Sequence, residues 1–263
     1  MSRAVAVQAL DAAADASAGE LAASLSLPLL APGEPVPTGL LAVLQVGSGG
    51  LALQPAGPRA SGPVCVDFSA PALRHRRRGG QNELLGRALG VGKRPAMRVL
   101  DATAGLARDA AVLADLGCEV LLAEREPLVA ALLAAGLEQG ALADDAWVRG
   151  LVARLQLHRG DARSLPPAAL AELDAIYLDP MFPERRKSAA VRKEMALLQQ
   201  LLEGDAAADA GEGLLDWALA SPVARVVVKR PLRAPFLGGR EPSHSLRGKA
   251  VRFDVHVLRS LTP

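Results

Sequence analysis

Arg98-Val99-Leu100-Asp101, followed by Ala102-Thr103-Ala104-Gly105-Leu106-Ala107-Arg108-Asp109 and an Ala/Leu/Val run to Leu116 and Gly117, decides the fold. A short apolar run ending on an acid, a turn without bulk and a longer apolar stretch stopped by glycine read as strand, tight turn and helix. Small residues at 102, 104, 105 and 107 let the backbone approach a ligand, while the helix start offers N–H groups that lack intrahelical acceptors. A second strand is expected at 119–123. It runs into Glu124, 23 positions beyond Asp101. In doubly wound folds an acid about 20 positions on, at the end of the second strand, binds ribose hydroxyls. Loop and acid together point to a nucleoside site.

From residue 95 onward the pattern keeps alternating. Strands are expected at 98–101, 119–123, 155–158, 175–178, 225–228 and 251–258, and helices over 106–116, 127–139, 144–153, 188–203 and 212–220. Pro127 suits a first helical turn. Such alternation predicts an α/β fold, a Rossmann-like parallel sheet with helices on both faces and ligands at the carboxyl ends of its strands. The last strand alternates Val251, Phe253, Val255 and Val257 with Arg252, Asp254 and His256, the pattern of a half-buried, antiparallel edge. Residues 1–59 differ: six prolines, a Gly/Ser turn at 47–50 and short apolar runs at 40–46 and 51–53 that could pair as a hairpin predict a small mixed α/β N-terminal subdomain. Residues 60–94 read as a basic connecting segment, and 95–263 as the main domain.

The spelling of the loop selects among nucleoside ligands. A dinucleotide fingerprint needs G-x-G-x-x-G to admit a pyrophosphate, whereas this loop has Gly105, Ala107 and Ala110 in those positions. A D-x-x-x-G-x-A loop suits S-adenosylmethionine, which has an amino-acid tail, no pyrophosphate and an electrophilic sulfonium methyl. Farther along, Ala175-Ile176-Tyr177-Leu178 leads into Asp179-Pro180-Met181-Phe182. A carboxylate, a proline carbonyl and an aromatic ring after a buried strand form a clamp for an amino group on a planar base. Asp179 and the Pro180 carbonyl would hold the two amine hydrogens, and Phe182 would stack on the ring, orienting the nitrogen for in-line attack. Asp-Pro also serves as a plain strand terminator, because proline cannot continue a central ladder.

The runs at 100–109 (LDATAGLARD), 123–127 (AEREP), 177–183 (YLDPMFP), 193–195 (KEM) and 226–231 (VVVKRP), with 66–87 (VDFSAPALRHRRRGGQNELLGR), resemble the RsmJ-type ribosomal RNA small-subunit methyltransferases. The resemblance covers roughly residues 60–258. It implies a class I S-adenosylmethionine-dependent methyltransferase that modifies the exocyclic N2 amine of one guanosine near the 3' end of 16S ribosomal RNA. Carried onto this sequence, it puts Arg108 with Asp109, Glu124 with Arg125, Asp161 with Ala162, and Asp179 on cofactor-contacting positions, beside Asp101 and Gly105. At 158–162 (HRGDA) the spelling departs from the small hydroxyl residues expected there. An acid after the third strand still suits the adenine amine.

Composition narrows the alternatives. The hydrophobic fraction is 50%, yet no run of about 18 apolar residues free of charge or Pro/Gly breaks appears, so no membrane span is expected. The N-terminus lacks a signal-peptide pattern. Cys65 and Cys118 read as reduced core thiols of a cytoplasmic protein, with no metal cluster, and His75, His158, His244 and His256 support no hydrolase arrangement. The net charge is only +2, but Arg74, Arg76, Arg77 and Arg78 form one basic cluster and Arg185, Arg186, Lys187, Arg192 and Lys193 another, with Lys229 and Arg230 ending a strand. Positive charge gathered at strand ends suits an RNA backbone or an assembled small subunit. Twenty-five Arg against five Lys also fits a GC-rich coding bias with solvated arginine faces. Three other functions share features with this reading: an adenine-N6 methyltransferase on DNA or RNA, a nicotinamide-dependent oxidoreductase, and a catalytically silent RNA-binding ribosome-assembly protein.

Overall fold

The computed structural model describes residues 5–58, 60–71, 73, 81–180, 197, 198, 201 and 210–261. Met181, Phe182, both arginine-rich clusters and most of the helix expected over 188–203 lie outside these residues.

The main sheet has seven strands: β5 Arg98–Asp101, β6 Glu119–Glu124, β7 Leu155–Arg159, β8 Ala175–Leu178, β9 Arg225–Pro231, β10 His244–Arg247 and β11 Val251–Val257. Their order is β10-β11-β9-β8-β5-β6-β7. All neighbours from β9 to β7 are parallel, and β11 runs antiparallel to both β9 and β10. The central strands are short, apolar and buried on both faces, as parallel strands between two helical layers must be.

Alternation along each strand sorts side chains into two cores. Val99, Val120, Leu122, Tyr177, Val227 and Val255 fall in one cluster, while Leu100, Ala123, Ile176, Leu178, Val226 and Val228 fall in the other. The first is covered by α2 Gln81–Leu89, α3 Arg108–Asp115, α4 Pro127–Ala141 and α5 Ala146–Val152; the second by α6 Pro167–Ala171 and α7 Ala210–Ala220. Helix α2 falls in the segment read as a mere connection. Its Leu85, Ala88 and Leu89 join the first core.

N-terminal to this sheet, β1 Val5–Ala9, α1 Asp15–Leu25, β2 Leu29–Leu30, β3 Ala42–Gly47 and β4 Gly50–Pro55 build a four-stranded sheet in the order β2-β1-β3-β4. The expected hairpin forms as β3 paired antiparallel with β4. The extended segment at 64–68 then turns Val64, Val66 and Phe68 inward against α4, and Leu44 and Leu53 share the core of Leu132 and Leu133. Gly136 makes the close approach possible: a Cβ there would lie 2.6 Å from the Val66 carbonyl oxygen. The same alternation turns Cys65 out to the surface, so it is no core thiol; Cys118 is buried.

The last strand also departs from expectation. It is not an edge, because β10 pairs along its outer side, and Arg252 and Asp254 are buried at 5% and 2% exposure. Arg252 grips Asp254 through two bonds of 2.8 and 3.0 Å, donates to the Leu232 and Ala234 carbonyls, and lies 5.1 Å from the centroid of the Phe236 ring. The loop after β9 is thereby folded over this face, and Arg252, with Asp254 bound to it, faces that loop rather than water.

Candidate active site

The chain steps outward from β5 to β6 and β7, then returns to the other side of β5 as β8. Ligands bind at such a switch point, beyond the carboxyl ends of the two central strands. The loop after β5 is stitched across it. Ala102 N–H donates to the Tyr177 carbonyl at 3.0 Å, Ala104 N–H to the Ala123 carbonyl at 3.1 Å, and Gly105 N–H to Glu124 Oε2 at 2.8 Å. Two left-handed residues, Gly105 at φ +52 and Ala107 at φ +54, bend the loop into α3. At the buried Ala107 that conformation costs about 1–2 kcal/mol. Among the described residues no side chain caps the N-terminus of α3, so its first-turn N–H groups can serve an anionic ligand group.

Acids follow four successive parallel strands. Asp101 ends β5, 2% exposed, and accepts from Thr103 N–H at 3.1 Å. Burial, reinforced by the nearby carboxylates of Asp109 and Asp179, pushes its carboxyl up to about 8. Glu124 ends β6 and accepts from both Gly105 and Glu126 N–H at 2.8 Å. Burial raises its pKa, and these two bonds oppose the rise. After β7, Asp161 caps a short turn and accepts from Arg163 Nε and Nη2 at 2.9 and 2.6 Å, which holds its carboxyl below the usual carboxylate range. Ala162 beside it is buried, whereas Arg108 and Arg125 are exposed on the rim.

Asp179 follows β8. Its N–H donates to Thr103 Oγ1 at 2.7 Å, and its Oδ2 accepts from Lys229 Nζ at 2.8 Å. The same ammonium donates to Asp109 Oδ2 at 2.7 Å, as does the Tyr177 hydroxyl. Burial alone would depress the lysine; Asp109 and Asp179 outweigh it, and its pKa is raised. Tyr177, wholly buried and facing the same carboxylates, is held well above the usual phenol value. Pro180 sits beside the start of α7, where a Cβ on Gly211 would lie 3.6 Å from Pro180 Cβ.

The family model for SAM-dependent methyltransferases matches residues 37–258. A ribosomal RNA small subunit methyltransferase J of Pseudomonas fluorescens (strain SBW25) is 48% identical over 229 residues, 84% of each chain. One from Pseudomonas aeruginosa (strain UCBPP-PA14) is 46% identical over 260 residues, 97% of this chain and 95% of the relative. The chain belongs to the SAM-dependent methyltransferases, in the ribosomal RNA small subunit methyltransferase J family. Among solved structures, a SAM-dependent methyltransferase from Neisseria gonorrhoeae superimposes with a TM-score of 0.71 at 33% identity, covering 95% of both chains.

As a SAM-dependent methyltransferase, the protein requires a cleft suited to a cationic, donor-rich nucleoside, and the donor set fits. Carboxylates only accept hydrogen bonds, and each offers about four lone-pair sites, so Glu124 retains capacity beyond its two backbone bonds. Acids at strand ends favour a sulfonium, an ammonium and ribose hydroxyls, and repel the pyrophosphate of a dinucleotide. The oxidoreductase alternative is thus disfavoured by charge as well as by glycine count.

Three residues of this methyltransferase site were not read as such from sequence. Tyr177 reads as part of a buried apolar run and Lys229 as RNA-facing charge at a strand end, while Thr103 carries no reading of its own. The register held the signal: β8 and β9 are parallel with Leu178 opposite Val228, so the next pair is Asp179 and Lys229. Lys229 is turned inward, its side chain 19% exposed. Arg230, expected beside it at the surface, is also buried and donates to the Pro235 carbonyl at 2.7 Å.

Proposed function

We propose that the protein methylates the exocyclic N2 amine of one guanosine in 16S ribosomal RNA of the small subunit. The observation that carries this reading is the position of Asp179-Pro180: directly after a central strand, at the switch point, beside the acid-lined cofactor cleft. The relatives' names supply the RNA class, and the family resemblance supplies guanine N2 rather than adenine N6.

In this reading Asp101, Gly105, Glu124, Asp161 and Ala162 line the cofactor cleft, with Arg108, Asp109 and Arg125 around it. S-adenosylmethionine supplies an electrophilic methyl group and leaves as S-adenosylhomocysteine. Asp179 and the Pro180 carbonyl hold the two hydrogens of the guanine amine, which directs the nitrogen lone pair towards the methyl carbon. Phe182 stacks on the base after it is unpaired or flipped. The new N–C bond leaves a strongly acidic aminium, whose proton passes to Asp179 or to solvent. The arginine clusters at 74–78 and 185–193 hold the RNA backbone, so binding weakens steeply with salt. The enzyme works in the cytoplasm, where its substrate is assembled; among the described residues no helix is long and apolar enough to cross a membrane.

The test is transfer of labelled methyl to small subunits from a strain lacking this gene, followed by nucleoside analysis. Label in N2-methylguanosine at one site is expected, and Asp179→Ala should remove nearly all of it while the protein still melts cooperatively. Label in N6-methyladenosine, or full activity of D179A, would overturn the assignment.

A further inference from the structure

Asp101, Asp109 and Asp179 come from three elements and converge on one small volume, with the Tyr177 hydroxyl as a further polar group and Lys229 as the cation bridging two of them. Thr103 Oγ1 anchors the backbone of Asp179, and β11 presents Phe253, which carries no charge, at the register of Lys229. Three carboxylates this close cannot all ionise without compensation. Among the described residues the cluster is balanced in two ways: Asp101 retains its proton to about 8, and the ammonium offsets Asp109 and Asp179.

We propose that Lys229 is a positioning residue for methyl transfer: its ammonium, fixed by Asp109, keeps the Asp179 carboxylate charged and aimed so that it can accept from the target amine. This rests on the reading of Asp179 as the amine acceptor. Lys229 need not touch the substrate or the cofactor. A carboxylate can accept from the lysine and from an amine together, because its lone-pair sites outnumber both bonds. Removing the ammonium leaves the aspartates to share the space, and the cluster takes up a second proton, at Asp109 or Asp179. A protonated Asp179 loses the charge that holds the amine and would stabilise the developing aminium.

The experiment is the pH dependence of kcat and KM, from pH 6 to 9.5, for Lys229→Met and Lys229→Arg on small subunits lacking the methyl group, with melting curves and S-adenosylmethionine binding measured alongside. The expected result for K229M is a kcat at least 10-fold below the parent at pH 7 that climbs with pH, its acid limb moved up by about 1–3 pH units, the shift a neighbouring charge of this kind produces. K229R retains the charge, so its profile should keep the parent's shape, even if its different fork lowers the plateau. A merely structural lysine would lower activity evenly at every pH. A K229M profile parallel to the parent's therefore overturns the proposal. If K229M does not melt cooperatively, K229R decides alone: a pH-driven recovery in that charged variant would refute the role of charge. Asp179→Ala separates the layers. An active D179A sinks the clamp reading, whereas an inactive D179A with a parallel K229M profile sinks only the lysine's part.

Discussion

Asp101→Asn isolates the most perturbed carboxyl of the site. Asn keeps an oxygen for Thr103 N–H, which donates to Asp101 at 3.1 Å, and has nothing to titrate. In the folded parent the group releases its proton at about 8, against 3.8 for the exposed carboxyl. Above pH 4 the unfolded chain has already lost that proton while the folded chain still holds it. Folding stability from this group therefore falls with each pH unit up to about 8 and levels off above it. Between pH 5 and 9 the folded state stays protonated for about three units, and at about 1.4 kcal/mol per unit the parent loses roughly 4 kcal/mol that D101N does not lose. For a chain of this length, with about 2–4 °C per kcal/mol, the melting-temperature difference, D101N minus parent, should rise by roughly 10 °C across that range. Differential scanning calorimetry of both proteins at five pH values measures it, and the titrating groups that do not couple to Asp101 cancel in the difference. Parallel curves would refute the reasoning, since they would mean that burial does not hold Asp101 protonated.

Two further perturbations test the frame around the cluster. Glu124→Gln turns one of the charge-assisted bonds from Gly105 and Glu126 N–H into a neutral one and sets an NH2 donor against the other N–H, so titration calorimetry should show S-adenosylmethionine bound at least 10-fold more weakly, with about 1–2 kcal/mol lost in stability; unchanged affinity would remove Glu124 from the ribose role. Gly136→Ala would gain up to about 1 kcal/mol in an open helix. Here the new Cβ lies 2.6 Å from the Val66 carbonyl oxygen, so a net loss of about 1–3 kcal/mol is expected in urea denaturation, and a gain would show that the 64–68 segment can move away at no cost.

How much of this could be read from sequence depends on whether a signal was local. Strands at 98–101 and 175–178 end where expected, because each is a buried apolar run closed by an acid. The β9 strand runs three residues past Val228 to Pro231, since two arginine-anchored carbonyls, Pro235 and Ala234, keep the following loop against it and only the proline stops the ladder. Period-two patterning marked a strand at 251–258, of which 251–257 forms one, but could not reveal that its polar face is buried. That depends on Arg252 finding Asp254 two residues on and loop carbonyls some twenty residues back. The candidate site divides the same way. Asp101, Gly105 and Glu124 carry local signatures, whereas the link from Lys229 to Asp109 spans 120 positions and exists only through strand order.

Strand order also resolves a conflict in the chemistry. A cationic methyl donor calls for acids, and a polyanionic substrate is repelled by them, so one opening must present both signs of charge at different depths. The sheet does this by placing Glu124 at the end of β6, under 10% exposed, with Arg125 one residue farther on in an exposed loop and Arg108 at the exposed start of α3. Buried carboxylates act over a few ångströms in a low dielectric, where they outweigh the rim for a ligand seated among them. The rim arginines act on an approaching phosphate through solvent, out to a Debye length of about 8 Å at physiological salt. Raising ionic strength should therefore weaken RNA capture far more than cofactor binding. In the proposed reading Asp179 faces both zones, and among the described residues its partner Lys229 is a cation buried between them.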